Sequence, residues 1–180
     1  MTLESIVEGT QFLTFKLGKE LFAVDIEKVQ EVLDYTTITK VPRTPDYLLG
    51  VINLRGSVVP VVDMKTKFAM VPTERTVNTC FVIVEVDLDG EKVVIGAMAD
   101  AVQEVLDLEP DQIEPPPRIG TKMDITFIRG MGKHNDQFII ILDIDRIFSS
   151  SDMTVLVQAV ETATEGETIY TNTATPTGLK

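Results

Sequence analysis

Catalytic chemistry would need a histidine, a nucleophile or clustered metal ligands, and the sequence offers few such groups. The only histidine is His134, in the segment GKHND. A metal site would need companion ligands and a phosphorelay site would need a helix, so we interpret His134 as a turn residue. The single cysteine, Cys80, lies in the apolar run TCFVIV, and no nucleophile has a plausible histidine partner. We therefore predict no catalytic residues, no metal site and no cofactor.

Two segments imitate ligand-binding loops but lack the required spacing. GMGK at 130–133 lacks both the first glycine and the following Ser or Thr of a phosphate-binding loop. Glu85, Asp87 and Asp89-Gly90 begin like a calcium loop, but the position of the bidentate carboxylate falls on Gly96. The apolar residues there alternate with period two, so we interpret the segment as a hairpin that turns at Asp89-Gly90.

A turn that presents an arginine offers recognition chemistry instead. Asn53-Leu54-Arg55-Gly56 lies between two apolar runs, and we expect Asn53 and Gly56 to have turn-forming, structural roles. The alternative for Arg55 is an ordinary solvated turn residue. For Glu31 the alternative is a carboxylate on the solvated side of a short helix. Residue types alone leave these alternatives open.

The elements that carry these residues occur twice. The hexapeptide VQEVLD stands at 29–34 and again at 102–107, and Leu54-Arg55-Gly56 aligns with Ile128-Arg129-Gly130 at nearly the same offset. The chain therefore contains two copies of a strand-rich unit of roughly 70 residues, which we place at about 11–78 and 79–150. Several short strands without a long helix predict that each copy is a small barrel.

Within each copy, VQEVLD predicts a short helical turn that runs into a strand. Its valines and leucine follow i, i+3, i+4 spacing, and Asp25 and Asp100 precede the two copies as candidate N-caps. Outside the repeats, 1–10 is an N-terminal segment. An apolar stripe behind Ser and Asp predicts a C-terminal helix at 152–163. The Thr-rich remainder, 164–180, lacks periodicity and is predicted to be disordered.

Composition limits the possible partners. The formal net charge is −12 and no basic cluster interrupts the acidity, which disfavours nucleic acid and anionic membrane surfaces. Apolar runs are broken by Arg, Asp or Pro, so we expect no direct membrane insertion. There is no signal-like leader, and we predict a cytoplasmic protein.

The segments QFLTFKLGKELFAVDI, KVQEVL, TPDYLLGVINLRGSVVPVVDMKTKF, ITFIRG and IIILDIDRIF, in this order, resemble the CheW family of bacterial chemotaxis coupling proteins. The pattern G-V-x-N-L-R-G-x-x-V-P-V-x-D at 50–63 is the most specific part of the resemblance. The resemblance implies a mainly β fold of two packed, five-stranded SH3-like barrels with short helices and a C-terminal helix. It agrees with the repeat, although the repeat alone does not fix the number of strands.

The resemblance also implies an adaptor that joins transmembrane chemoreceptors to the histidine kinase CheA in signalling arrays. The cytoplasmic tip of the receptor would dock between the barrels, with Val29, Glu31, Gly50 and Arg55 at or near the site. The kinase would be met through its homologous regulatory domain, barrel end to barrel end, by residues that the resemblance does not assign. Two alternatives stay open: a small-ligand-binding double barrel, and a scaffold adaptor of a related non-motility signalling array.

Overall fold

The computed structural model describes residues 11–88, 90–116 and 126–179, with side chains described as far as residue 164. The predicted segment 1–10 and Asp89 of the predicted turn lie outside the described residues. The strands are β1 Gln11–Leu17, β2 Glu20–Asp25, β3 Val29–Asp34, β4 Leu48–Leu54, β5 Ser57–Asp63, β6 Cys80–Leu88, β7 Glu91–Ala99, β8 Ala101–Asp107, β9 Ile128–His134 and β10 Gln137–Leu142. The α-helices are α1 Met64–Lys67 and α2 Ser150–Leu179, and short 3-10 helices span Ile26–Lys28, Pro110–Gln112 and Ile144–Arg146.

The strands form two five-stranded sheets, which confirms the predicted mainly β fold. The first sheet has the order β8-β1-β2-β10-β9 and the second the order β3-β6-β7-β5-β4. The two orders become identical when each of β1–β5 is replaced by its counterpart among β6–β10, and the reverse. The sequence duplication is therefore also a structural duplication. The ranges 11–78 and 79–150 are nevertheless not the two sheets, because each sheet takes its central hairpin from one copy and its other three strands from the other. Corresponding strands carry similar apolar patterns, so the sequence does not reveal this exchange.

The two copies of VQEVLD are entirely strand, so the predicted helical turn within them is wrong. The turn comes earlier, as the 3-10 helix Ile26–Lys28, where Asp25 caps the N-terminus by accepting a hydrogen bond from the Glu27 N–H at 3.0 Å. A bulge between Val29 and Glu31 shifts the register of β3 on β6. Asp100 is not a cap; it accepts hydrogen bonds from the Gly18 N–H and the Lys65 ammonium.

The structure also corrects the alignment of the two copies. The ladder of β4 on β5 begins at Leu48 and ends at Leu54, whereas that of β9 on β10 begins at Ile128 and ends at His134. Arg129 therefore lies near the start of a strand and is not in a turn. The counterpart of the Arg55-Gly56 turn is Asn135-Asp136, and His134 is the strand residue that precedes it.

Three apolar clusters hold the sheets together. One lies between the two sheets, and each sheet encloses a smaller one. β1 serves two clusters because its side chains alternate: Phe12 points into the first sheet, while Leu13, Phe15 and Leu17 point into the shared cluster. Cys80 is buried in the shared cluster as a free thiol.

Helix α2 packs against β4 and β5 and adds Met153, Leu156 and Ala159 to the shared cluster. It begins at Ser150, two residues before the predicted start. It continues to Leu179, so residues 164–179, which were predicted to be disordered, are helical in the structure. A docked helix can extend through a polar segment because propagation requires no new nucleus.

Candidate functional site

The Arg55 turn is built from a two-residue hairpin loop between β4 and β5. Leu54 pairs with Ser57, and Arg55 and Gly56 both take positive φ, of 50° and 88°. These backbone angles match the twist of a two-residue hairpin, but a residue other than Gly, Asn or Asp rarely adopts them. The side-chain oxygen of Asn53 accepts a hydrogen bond from the Gly56 N–H at 2.9 Å, which fits the structural roles predicted for both residues.

Glu31 and Arg55, which lie far apart in sequence, form a bidentate ion pair. Arg55 Nη1 donates to Glu31 Oε1 at 3.1 Å, and Arg55 Nη2 donates to Glu31 Oε2. The hydrogen bonds from Arg55 lower the pKa of Glu31, and those to Glu31 raise the pKa of Arg55, so both groups stay charged at neutral pH. The Arg55 side chain is 71% exposed while that of Glu31 is 25% exposed. Glu31 thus orients a guanidinium that remains available to solvent or to a partner.

Gly50 has a backbone role. It is buried with φ of 145°, and a Cβ there would collide with the carbonyl oxygen of Thr39. Its neighbour Val51 exchanges two backbone hydrogen bonds with Thr39, at 2.8 and 2.9 Å. Gly50 therefore allows the loop before β4 to pack onto the outer edge of that strand. Gly130 meets Glu114 in the corresponding way in the other copy.

Val29 is partly buried and packs against the apolar cluster between the sheets. The structure thus brings Glu31 and Arg55 into contact, whereas Val29 and Gly50 support the same sheet from other positions. Sequence reasoning missed Val32, which is 42% exposed, and its counterpart Val105, which is 49% exposed. Both lie on the outermost strands β3 and β8. The signal was present, since each is the fourth residue of the repeated hexapeptide.

A groove of about 660 Å³, open to solvent, runs beside the Arg55 turn. Of the four predicted residues, all of them in the described part of the chain, only Arg55 lines this groove. The groove lies between the second sheet and α2, and its lining includes Gln30, Leu54, Val58, Lys92 and Val157. A second open groove of about 500 Å³ lies between α2 and the loop around Thr39. Both are surface features suited to a protein partner more than to an enclosed small ligand.

Two further properties bear on function. Across 11–88, 90–116 and 126–179, no three His, Cys, Asp or Glu side chains come together as metal ligands. Over the same ranges, no helix has the length and apolar character needed to cross a bilayer.

Comparison with known proteins shows the family. A family model described as the CheW-like domain matches residues 11–152. The chain belongs to the CheW-like family. It is 36% identical over 148 residues to the chemotaxis protein CheW of Klebsiella aerogenes, covering 82% of this chain and 87% of that protein. It is 33% identical over 144 residues to CheW of Rhizobium meliloti, covering 80% and 90%.

A solved CheW-like structure has the same fold. The crystal structure of scaffolding protein TtCheW from Thermoanaerobacter tengcongensis matches with a TM-score of 0.70 and 36% identity, covering 80% of this chain and 95% of that one. The family resemblance that the NLRG segment suggests is therefore confirmed. The CheW-like region ends within the first turn of α2, so most of that helix lies beyond the family match.

Proposed function

We propose that this chain is a chemotaxis adaptor that couples transmembrane chemoreceptors to the histidine kinase CheA. The support is its membership of a family whose named relatives are chemotaxis proteins and a scaffolding protein. In this proposal the chain works in the cytoplasm, is recruited to membrane-bound receptor arrays and carries out no reaction itself. The kinase is met through its homologous regulatory domain, and we assign no kinase-contacting residues.

The receptor-contacting site in this proposal centres on the Glu31–Arg55 pair, and the exposure of Arg55 is the observation that carries it. An arginine held by a bidentate carboxylate has lost part of its conformational freedom before a partner arrives, which lowers the cost of binding. Glu31 is the orienting residue, and Val29 and Gly50 keep the strands that carry the pair in place. Arginine is enriched among interface residues whose truncation weakens binding most.

The test is receptor-stimulated kinase activity in a reconstituted mixture of receptor, kinase and adaptor. Arg55→Asn is the cleanest variant, because asparagine tolerates positive φ and already occupies the counterpart position as Asn135, with φ of 52°. We expect normal folding, a melting temperature close to that of the parent, and loss of coupling by about tenfold or more. Arg55→Glu should lose more, because it reverses the charge and repels Glu31.

Two controls separate a contact from a folding defect. Arg146→Ala removes a guanidinium of similar exposure that pairs with Asp143 at 3.4 Å, and it should retain coupling. Arg129→Ala should also retain more coupling than Arg55→Asn. A charge-swapped double variant, Glu31→Arg with Arg55→Glu, can restore the ion pair but not the arginine at the turn. Full coupling by this double variant, or by Arg55→Asn, would refute a direct contact.

The absence of catalysis in this proposal has its own assay. Incubation with labelled ATP, with and without the kinase, should leave the label on the kinase and none on this chain. Stable phosphorylation of this chain, or hydrolysis of ATP by this chain alone, would contradict the adaptor proposal.

A further inference from the structure

Two close ion pairs join the two copies of the repeat where the chain crosses from one sheet to the other. We call residues 11–78 copy 1 and residues 79–150 copy 2. The ammonium of Lys65 in copy 1 lies 2.7 Å from the carboxylate of Asp100 in copy 2, and the ammonium of Lys28 in copy 1 lies 2.7 Å from that of Asp145 in copy 2. The Lys65 side chain is 4% exposed and the other three are 22–34% exposed, so both pairs are partly or largely buried.

Lys65 and Asp145 stand at equivalent positions of the two copies. They follow β5 and β10, and each lies two residues after an aspartate that caps the helical turn behind its strand. Asp63 accepts a hydrogen bond from the Lys65 N–H at 3.0 Å, and Asp143 accepts one from the Asp145 N–H at 3.2 Å. The local backbone is therefore alike in both copies, while the side chain is a cation in copy 1 and an anion in copy 2.

The partners of these two side chains also correspond. Asp100 lies between β7 and β8, and Lys28 lies between β2 and β3, so each is in the connection that leads into VQEVLD. Glu27 aligns with Asp100 in the repeat, but it is exposed, and Lys28 is the side chain that reaches the other copy. A longer contact of 3.8 Å, between Arg129 and Asp25, also joins the two copies. At both close contacts, copy 1 supplies the lysine and copy 2 the aspartate.

Further hydrogen bonds fix both aspartates in place. Asp100 accepts from the Gly18 N–H at 2.6 Å and from the Thr73 hydroxyl at 2.9 Å. Asp145 accepts from the Asp87 N–H at 2.8 Å. Because these carboxylates are held by groups other than the lysines, they cannot turn away from a like charge without losing these bonds.

Short connections force each copy to pair with another copy. β8 is antiparallel to β1, which is antiparallel to β2, so the strand at this edge runs parallel to β2. If β3 took the place of β8 in a self-contained copy 1, the chain would have to return along β2, a path of about 20 Å. The three residues Ile26–Lys28 span at most about 11 Å, and parallel strands ordinarily need a crossover of about a dozen residues or more. In copy 2 the same connection is Asp100 alone.

We propose that the Lys65–Asp100 and Lys28–Asp145 pairs select which copies pair, so that copy 1 joins copy 2 and two copies of the same kind do not join. A pairing of like copies from two chains would be symmetric, so each of its contacts would occur twice. Two copies 1 would bring Lys65 against Lys28, and two copies 2 would bring Asp145 against Asp100. Opposite charges specify one pairing and like charges disfavour the others, as at other specific interfaces. The selection therefore disfavours the pairings that would link neighbouring chains through like copies.

Refolding of the full chain from urea at several protein concentrations tests this selection, with the dimer fraction measured by size-exclusion chromatography and light scattering. Lys28→Asp combined with Asp145→Lys keeps an ion pair in the native arrangement. It also makes both like pairings attractive, because Lys65 would meet an aspartate at position 28 and Asp100 would meet a lysine at position 145. We expect its dimer fraction to exceed that of the parent by about threefold or more at the same concentration. Lys65→Asp combined with Asp100→Lys makes the equivalent change at the other contact and should give the same result.

Two controls separate the selection from a general effect of charge, and a melting curve checks that each variant is folded before it is unfolded. The variant with all four substitutions again takes both cations from one copy, and its dimer fraction should return to that of the parent. Lys92→Glu combined with Glu85→Lys reverses an ion pair within copy 2 and should leave the dimer fraction unchanged. The selection is refuted if both double variants refold to the dimer fraction of the parent, or if the Glu85–Lys92 reversal raises that fraction equally.

Discussion

Asp152 links the first turn of α2 to α1 and to the residue that precedes β4, and protonation of its carboxylate should weaken this link. Its carboxylate accepts hydrogen bonds from the Lys67 ammonium at 2.8 Å, the Tyr47 hydroxyl at 2.7 Å and the Ser149 N–H at 2.9 Å. Partial burial works to raise the pKa of Asp152, but the bonds from Lys67, Tyr47 and Ser149 outweigh it and lower that pKa from 3.8 to about 2. The folded state therefore favours the ionised carboxylate more strongly than the unfolded chain does.

The size and the pH window of the effect follow from this pKa. A pKa that is lower in the folded state stabilises the protein above about pH 4, and the benefit disappears as the pH falls through about 2. Since one pKa unit corresponds to about 1.4 kcal/mol, the lowering of the Asp152 pKa contributes about 2 kcal/mol to the free energy of unfolding. The Asp152 side chain is only 17% exposed, so solvent screening reduces this value little.

Urea unfolding of the parent and of Asp152→Asn at pH 6 and at about pH 2 measures the contribution. We expect Asp152→Asn to be less stable by about 2 kcal/mol at pH 6 and nearly equal to the parent at the lower pH. Tyr47→Phe, which keeps the Lys67 ion pair, should lose about 1 kcal/mol at pH 6. A difference for Asp152→Asn that is the same at both pH values would refute the reasoning, because it would not come from ionisation.

Two further predictions concern the backbone and the helix. Gly50→Ala should lower the free energy of unfolding by about 3 kcal/mol or more in chemical denaturation, because its Cβ would collide with Thr39. Gly56→Ala has open space around it and should lower the same free energy by about 1 kcal/mol. Equal losses in the two variants would contradict the close-approach role of Gly50. Truncation after Gly166 should change the melting temperature by no more than about 2 °C. Truncation after Phe148 should lower the free energy of unfolding by about 4 kcal/mol or more, because it exposes the surface that α2 covers. An unchanged melting temperature in the shorter chain would mean that α2 is not docked in solution.

The duplication and the hairpins could be predicted from the sequence because they leave local signals. Gly90, between β6 and β7, takes a positive φ of 84° where the sequence predicts a hairpin turn. The exchange of hairpins could not be predicted, because a repeat shows which segments correspond and not which copy they pair with. The sequence alignment of the two copies was wrong at Arg129 for a related reason. The matching triplets LRG and IRG contain glycines with different roles, since Gly56 forms a turn and Gly130 allows a close backbone approach.

The candidate site was predictable in its residues and not in its geometry. Glu31 and Arg55 were selected from the family resemblance, while the bidentate contact between them depends on the packing of β3 beside the end of β4. Glu31 was expected on a helix because Val29, Val32 and Leu33 follow helical spacing, whereas in the structure Val32 is an exposed residue on the outer face of a strand. His134 was judged as a lone histidine, whereas the structure places its Nε2 3.4 Å from Glu104 Oε1, a contact that the sequence does not indicate.

The exchange of hairpins also governs when the protein can fold during synthesis. β1 must wait for β8, since the contact between Thr14 and Glu104 joins residues 90 positions apart. At typical translation rates the ribosome needs about 5–20 s to add that length of chain. During this interval Phe12 lies on a hairpin face whose partners Leu106, Ile139 and Ile141 all belong to the second copy. Neither copy can complete a sheet alone. The nascent chain can therefore form its two sheets only after most of the second copy has left the ribosome.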